Sequence, residues 1–197
     1  ETKDGELVLL HDNSLKRTAG VNKNVWEMDY AEIEKLDAGS SFHKKFRGEK
    51  IPTLDEVLKF CKGRLDLNIE IKYNGKNKGI VKKVVRVIEQ NGFENHCVIT
   101  SMNYGFLQQV KKANPNIRTG YIMTMTYGSI SRITAADFFS VKYTYINEEF
   151  VREAHSLGKE VHAWTVNYRG DIKRMIDVGA DNIITDNPVL VRKVMNR

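Results

Sequence analysis

Between residues 65 and 195, short apolar runs alternate with stretches of helical period, and this rhythm limits the fold more than any other feature of the chain. A helix between two strands is the crossover that parallel neighbours require, so the pattern implies a parallel sheet. Strands are expected at Leu65–Lys72, Cys97–Ser101, Arg118–Met123, Asp137–Lys142, Glu160–Val166 and Asn182–Asp186. Helices are expected at Lys76–Asn91, Tyr104–Ala113, Asn147–Leu157, Arg169–Val178 and Pro188–Met195. Asn91-Gly92 and Leu157-Gly158 place a glycine just past a last turn, where a left-handed residue is wanted. Asp186-Asn187-Pro188 offers a cap and then proline at the first helical position. Strands of this number suit an open doubly wound sheet or most of an eight-stranded barrel. No glycine-rich phosphate loop follows any of them, which weighs against the doubly wound option.

The first fifty residues read differently. Lys3-Asp4-Gly5 is a hairpin-turn signal ahead of the apolar run Glu6–Leu10, so that run is expected to be a strand with a partner preceding it. Residues 13–50 are polar and irregular, with a short helix expected around Asp29–Leu36. They are expected to form an inserted segment over the mouth of one domain spanning residues 1–197. Thr53 opens a helix to Cys61, and Glu56 three residues on completes a capping box.

Charge and length narrow the function classes. A chain of 197 residues can bury a sizeable core, and no apolar run approaches the length of a membrane span. Membrane anchoring is therefore expected only through a segment ahead of Glu1, where any export signal would also lie. The net charge of +6 favours anionic partners. The densest basic runs, Lys44-Lys45-Phe46-Arg47 and Lys82-Lys83-Val84-Val85-Arg86, are short and interrupted, so they read as solvated surface and no nucleic-acid partner is expected. Cys61 and Cys97 match no metal or redox spacing and read as free buried thiols.

Chemistry concentrates in Leu65-Asp66-Leu67-Asn68-Ile69-Glu70-Ile71-Lys72. Side chains alternate along a strand, so the four apolar residues share one face and Asp66, Asn68, Glu70 and Lys72 the other. In a barrel the apolar face packs on the helices while the polar face lines the lumen, with Glu70 and Lys72 at the C-terminal mouth. The bland alternative is an ion-pair layer or an edge strand facing water. His11, at the end of Leu7–Leu10, is a candidate proton-transfer group, although taken alone a surface histidine in a turn is the better reading. Trp164 reads either as a pocket wall or as a core residue, and His162, deeper in the same strand, as a satisfied interior side chain.

Taken together, these segments resemble the glycerophosphodiester phosphodiesterase family. The matching stretches are Thr2-Lys3-Asp4-Gly5, Leu7–Asp12 with Arg17-Thr18, Leu36–Gly39, Ile51–Leu58, Asn68–Lys72, Trp164–Asn167 and Ile183–Pro188, all in the family's order. The resemblance implies a (β/α)8 TIM-type barrel from which the first strand–helix unit and the second strand are missing here. With them would go a His-Arg pair and a Glu-x-Asp metal pair, so these residues alone are expected to be inactive. It implies that His11 is one of two acid/base histidines and that Glu70 is a carboxylate ligand of a divalent cation, Ca²⁺ or Mg²⁺. It likewise makes Lys72 the catalytic, substrate-binding residue that steadies the phosphate, and Trp164 the wall beside the glycerol moiety. The expected reaction splits a glycerophosphodiester into an alcohol and glycerol 3-phosphate. Alternatives are an inactive barrel serving as a scaffold and a related lysolipid phosphodiesterase with a more apolar mouth. Ser101-Met102 departs from the family's more usual Ser-Phe. Asp137–Ile146 and Tyr127-Gly128 look closer to its membrane-anchored bacterial branch. Head group, compartment and oligomeric state stay open.

Overall fold

The structure, a computed structural model, describes residues 1–125 and 129–196; Tyr127-Gly128 falls outside them. The chain divides into two compact units, Glu1–Leu67 with Tyr73–His96, and Asn68–Lys72 with Cys97–Arg197.

In the first unit, Gly5 at φ 94° closes the expected turn, with Thr2 N–H donating to the Glu6 carbonyl at 2.9 Å. The following run is not the ladder strand expected over Glu6–Leu10. It makes one antiparallel bridge, Val8 to Thr53, held by Leu9 N–H to the Pro52 carbonyl and Leu54 N–H to the Leu7 carbonyl. Thr53 starts a helix immediately beyond, so nothing extended remains to pair with.

Residues 13–50 build a small core of their own from Leu15, Val25, Met28 and Ile33, with Ile51 beside them. Two short helical pieces frame it, α1 (Lys16–Ala19) and α2 (Tyr30–Ile33), the latter entered through an Asp29/Glu32 capping box. Helix α3 (Leu54–Cys61) begins as its sequence dictates. Thr53 accepts from Glu56 N–H at 3.1 Å, and Glu56 returns an acceptor to Thr53 N–H at 2.8 Å. Helix α4 (Ile80–Gln90) starts four residues later than expected. The Asn74 side chain accepts from the Lys76 and Asn77 amides, and Gly79 turns left-handed at φ 79°, so the chain makes a turn where period alone suggested helix.

The second unit carries six strands: β1 (Leu67–Glu70), β2 (Cys97–Ser101), β3 (Arg118–Met123), β4 (Phe138–Lys142), β5 (Glu160–Trp164) and β6 (Asn182–Ile183). Their spatial order is their sequence order, and the pairings from β2 to β6 are all parallel. A doubly wound sheet needs a point where the order reverses. None occurs here, so the barrel kind of winding is the one observed, each crossover placing its helix on the same side. Those crossovers are α5 (Tyr104–Ala113), α6 (Glu148–Ser156) and α7 (Arg169–Asp177), with α8 (Pro188–Met195) closing the series.

Alternation then sorts the side chains. Phe139, Val141, Val161 and Ala163 point to the helical side and pack with Phe150, Val151 and Ala154 of α6 and Ile172 and Met175 of α7. The Leu65–Lys72 expectation needs correcting at its start: Leu65 is exposed, and Asp66 leaves the polar row to pair with His96 Nδ1 at 2.9 Å. The backbone leaves α3 through a left-handed turn at Gly63 and joins the sheet only at Leu67, so no ladder aligns the two residues before it. Cys61 and Cys97 are buried free thiols, as expected.

Candidate active site

The face of the sheet away from the helices has two distinct ends. At the N-terminal end it is filled. Phe138, fully buried, stacks on His162 with ring centroids 4.0 Å apart, directly over Gly120 of the neighbouring strand. Glu160 accepts from His162 at 3.0 Å and from Arg118 at 2.8 Å, so the charges that begin β3 and β5 neutralise one another. Burial holds the His162 imidazole below its ordinary pKa, with Glu160 pulling the other way. It is a neutral interior histidine, the bland reading of its sequence context. In a parallel barrel this end serves stability.

The C-terminal end is open and charged. Asn68 accepts from Thr100 Oγ1 at 2.8 Å, which puts Asn68, and by alternation Glu70 and Lys72, on the side opposite the helices. Glu70 Oε1 and Lys72 Nζ meet at 2.9 Å, each side chain 33% exposed. Two charges so placed keep access to solvent and to a ligand while screening one another. Backbone contacts anchor the pair: Ile71 N–H donates to the Thr100 carbonyl at 2.8 Å, and Ser101 Oγ donates to the Ile71 carbonyl at 2.7 Å. Met102 follows directly and is exposed.

Trp164 ends β5, half-buried, its indole N–H donating to the Ser140 carbonyl at 2.9 Å and its backbone in register with Lys142. That bond holds one edge of the indole to the sheet, on the same end as Glu70 and Lys72 but four strands along. Beyond β2 and β3, Met102, Tyr121, Met123, Thr124, Met125 and Ile133 line an open cavity of about 420 Å³ whose wall is part polar and part apolar.

His11 belongs to the first unit. Its Nδ1 lies 2.7 Å from Asp12 Oδ1, and Asp12 Oδ2 accepts from Arg17 Nε at 2.6 Å. The Arg17 guanidinium, with His11, draws the Asp12 carboxyl down to about 2. An ionised carboxylate only accepts, so Nδ1 carries the hydrogen and Nε2 is left as the nitrogen able to take or give a proton. The Asp12–Arg17 clamp escaped the sequence reading, although its trace is visible as His-Asp with an arginine five residues on.

A hard divalent cation takes six or more oxygen ligands, several of them carboxylates. Among the described residues no group of three or more His, Cys, Asp or Glu side chains converges to hold one. Glu70 by itself does not make that site.

Sequence comparison decides the relationship. The profile of the glycerophosphoryl diester phosphodiesterase family matches residues 1–190. The chain belongs to that family. A glycerophosphodiester phosphodiesterase of Caldanaerobacter subterraneus subsp. tengcongensis is 38% identical over 205 residues, spanning 98% of this chain and 83% of its relative. One from Bacillus subtilis is 31% identical over 216 residues, spanning 98% and 73%. Among solved structures, an Oleispira antarctica phosphodiesterase in complex with the product sn-glycerol-3-phosphate matches with a TM-score of 0.87. Its identity is 22%, over 100% of this chain and 82% of that one, so the likeness speaks for the fold.

Proposed function

We propose that this protein hydrolyses glycerophosphodiesters to an alcohol and glycerol 3-phosphate. The observation that carries the reading is the Glu70–Lys72 pair, held at the open C-terminal end of β1 in a chain of this family. In the reaction a bond forms between a water oxygen and phosphorus, the bond to the alcohol oxygen breaks, and the water's proton replaces phosphorus on the alcohol. Lys72 Nζ is a mobile cation suited to the non-bridging phosphate oxygens, where charge builds in the transition state. Swinging from Glu70 to the phosphate exchanges one anion for another. His11, with Nδ1 fixed by Asp12, is suited to move the proton through Nε2. Trp164 offers a flat apolar wall to the glycerol carbons.

The reading includes a divalent cation, Ca²⁺ or Mg²⁺, toward which Glu70 would give one carboxylate. One carboxylate does not hold such an ion, so no step is drawn through it. The six strands are taken as the last six of an eight-stranded barrel, because their unbroken sequential order is that of consecutive barrel units.

The cavity at Met102 favours a second reading within the same chemistry, a lysolipid whose single acyl chain lies against the Met102, Met123 and Met125 side chains that line it. A panel of glycerophosphocholine, glycerophosphoethanolamine and lysophosphatidylcholine, assayed with full-length protein, separates the two. Release of glycerol 3-phosphate from the first pair supports the primary reading. Cleavage of the lysolipid alone replaces it with the second. Cleavage of none, across both metals, refutes both.

A further inference from the structure

Residues 37–50 of the first unit hold a surface that the proposed chemistry leaves unused. Asp37 opens the segment by accepting from the Gly39 and Ser40 amides at 2.9 Å each and from Ser40 Oγ at 2.7 Å. Ala38 N–H donates to the Glu49 carbonyl at 2.8 Å and closes the base. At Gly39 the Phe46 carbonyl presses so near that an added Cβ would collide with its oxygen and lie 2.8 Å from its carbon. Inside the loop the Phe42 and His43 amides donate to the Gly39 carbonyl, and Phe46 N–H donates to that of His43. Lys45 N–H caps on His43 Nδ1 at 3.1 Å. The segment is thus a closed, internally bonded loop of the omega kind.

Such a loop can hide its apolar residues against its own backbone, yet this one presents Phe42 at 83% exposure, the most exposed large hydrophobic side chain described. Around it Lys44, Lys45, Arg47 and Lys50 are positive and exposed, Lys50 Nζ donating to the Lys35 carbonyl at 3.2 Å, and Asp37 and Glu49 are the acidic residues of the segment. Phe46 sits partly buried, its ring 5.7 Å from Phe42 and its face occupied by Lys45 Nζ at 4.7 Å.

We propose that this loop docks the protein on an anionic lipid surface, with Phe42 entering the boundary between headgroups and acyl chains and Lys44, Lys45 and Arg47 lying against lipid phosphates. A lone aromatic ring raised among basic side chains matches the layering of that boundary, apolar beneath a sheet of negative charge. Single-stranded nucleic acid suits it less. Stacking needs successive open ring faces, and Lys45 already covers Phe46. The docking stands apart from the catalytic reading, since none of its residues belongs to the proposed site.

The test is co-sedimentation of the full-length protein with phosphatidylcholine vesicles, with and without about one-third phosphatidylserine. Partitioning is expected on the anionic vesicles only, and is expected to vanish in about 1 M salt, where charges are screened within about 3 Å. Phe42→Ser is expected to weaken it at least about fivefold, and Lys44→Ala or Lys45→Ala about fivefold each. All three positions are exposed, so melting temperatures and turnover of a water-soluble diester are expected to stay at the parent's values. Equal partitioning onto neutral vesicles, an unchanged Phe42→Ser variant, or binding to a fluorescent oligonucleotide with none to vesicles would overturn the proposal. Failure of the diester assay with vesicle binding intact would refute the catalytic reading and leave the docking standing.

Discussion

Replacing Gly120 by alanine tests the packing that closes the N-terminal end of the sheet. Glycine is not needed there for its backbone, because Gly120 is absent from the residues at positive φ. On backbone grounds alone, alanine would stabilise the protein by about 0.4–1 kcal/mol through the unfolded state. Space reverses the sign. The new Cβ would lie 2.8 Å from Phe138 Cδ2 and nearer still to Cε2 and Cζ, whereas ordinary contact begins at 3.4 Å. The ring has little room to yield, since Phe138 is fully buried and stacked on His162 at 4.0 Å. Overpacking of this kind costs about 1–3 kcal/mol, and losing the stacked geometry about 0.5–1.5 more. Set against the backbone gain, the net loss is about 0.5–4 kcal/mol, or roughly 1–16 °C in Tm for a chain of this size. Urea unfolding followed by tryptophan fluorescence measures it. Phe138→Leu shortens the offending ring, so the double variant should be more stable than the two single losses predict, by at least about 1 kcal/mol. A Gly120→Ala protein as stable as the parent, or strict additivity in the cycle, would refute the steric argument.

Three further outcomes are expected. His11→Ala should slow turnover of glycerophosphodiesters by about 10²–10⁴-fold with KM little changed, and near-parental kcat would remove His11 from the chemistry. Glu70→Gln keeps the side chain's size but removes the charge a hard cation prefers, so metal affinity by calorimetry and activity should fall together, with added metal restoring part of the rate; unchanged metal binding contradicts the ligand role. His162 has a folded pKa below its unfolded value near 6.5, because burial disfavours the imidazolium. The unfolded chain therefore binds the proton more readily, and this contribution to stability is full above about pH 6.5 and lost as pH falls toward the folded pKa. Urea midpoints at pH 7 and 5.5 should drop more for the parent than for His162→Gln, and equal drops would show that His162 does not carry the dependence.

Local signals in the chain carried much of this fold. Strands β2 and β3 and helices α5 and α8 run over the residues their periodicity and punctuation assign. The Thr53–Glu56 box and the Asn187-Pro188 start form as read, because a cap needs only groups within one turn of each other. The alternation Asn68–Ile69–Glu70–Ile71–Lys72 likewise exposed a polar face, since the period of a strand is fixed by its backbone. Where a neighbour from elsewhere in the chain decides, sequence was silent or misleading. Leu65 and Asp66 continue the same alternation but lie outside the ladder, because the sheet reaches back only to Leu67. Glu6–Leu10 reads as a strand yet has one bridge, since a strand exists only as far as its partner does. Whether Glu70 meets Lys72, whether Asp12 clamps His11, and why position 120 must be glycine beneath Phe138 all depend on distances between side chains. The first two are contacts between near neighbours that turn on side-chain rotamers, while the third follows from which strands lie side by side and in what register, and pairing between distant segments leaves no periodic mark on either one.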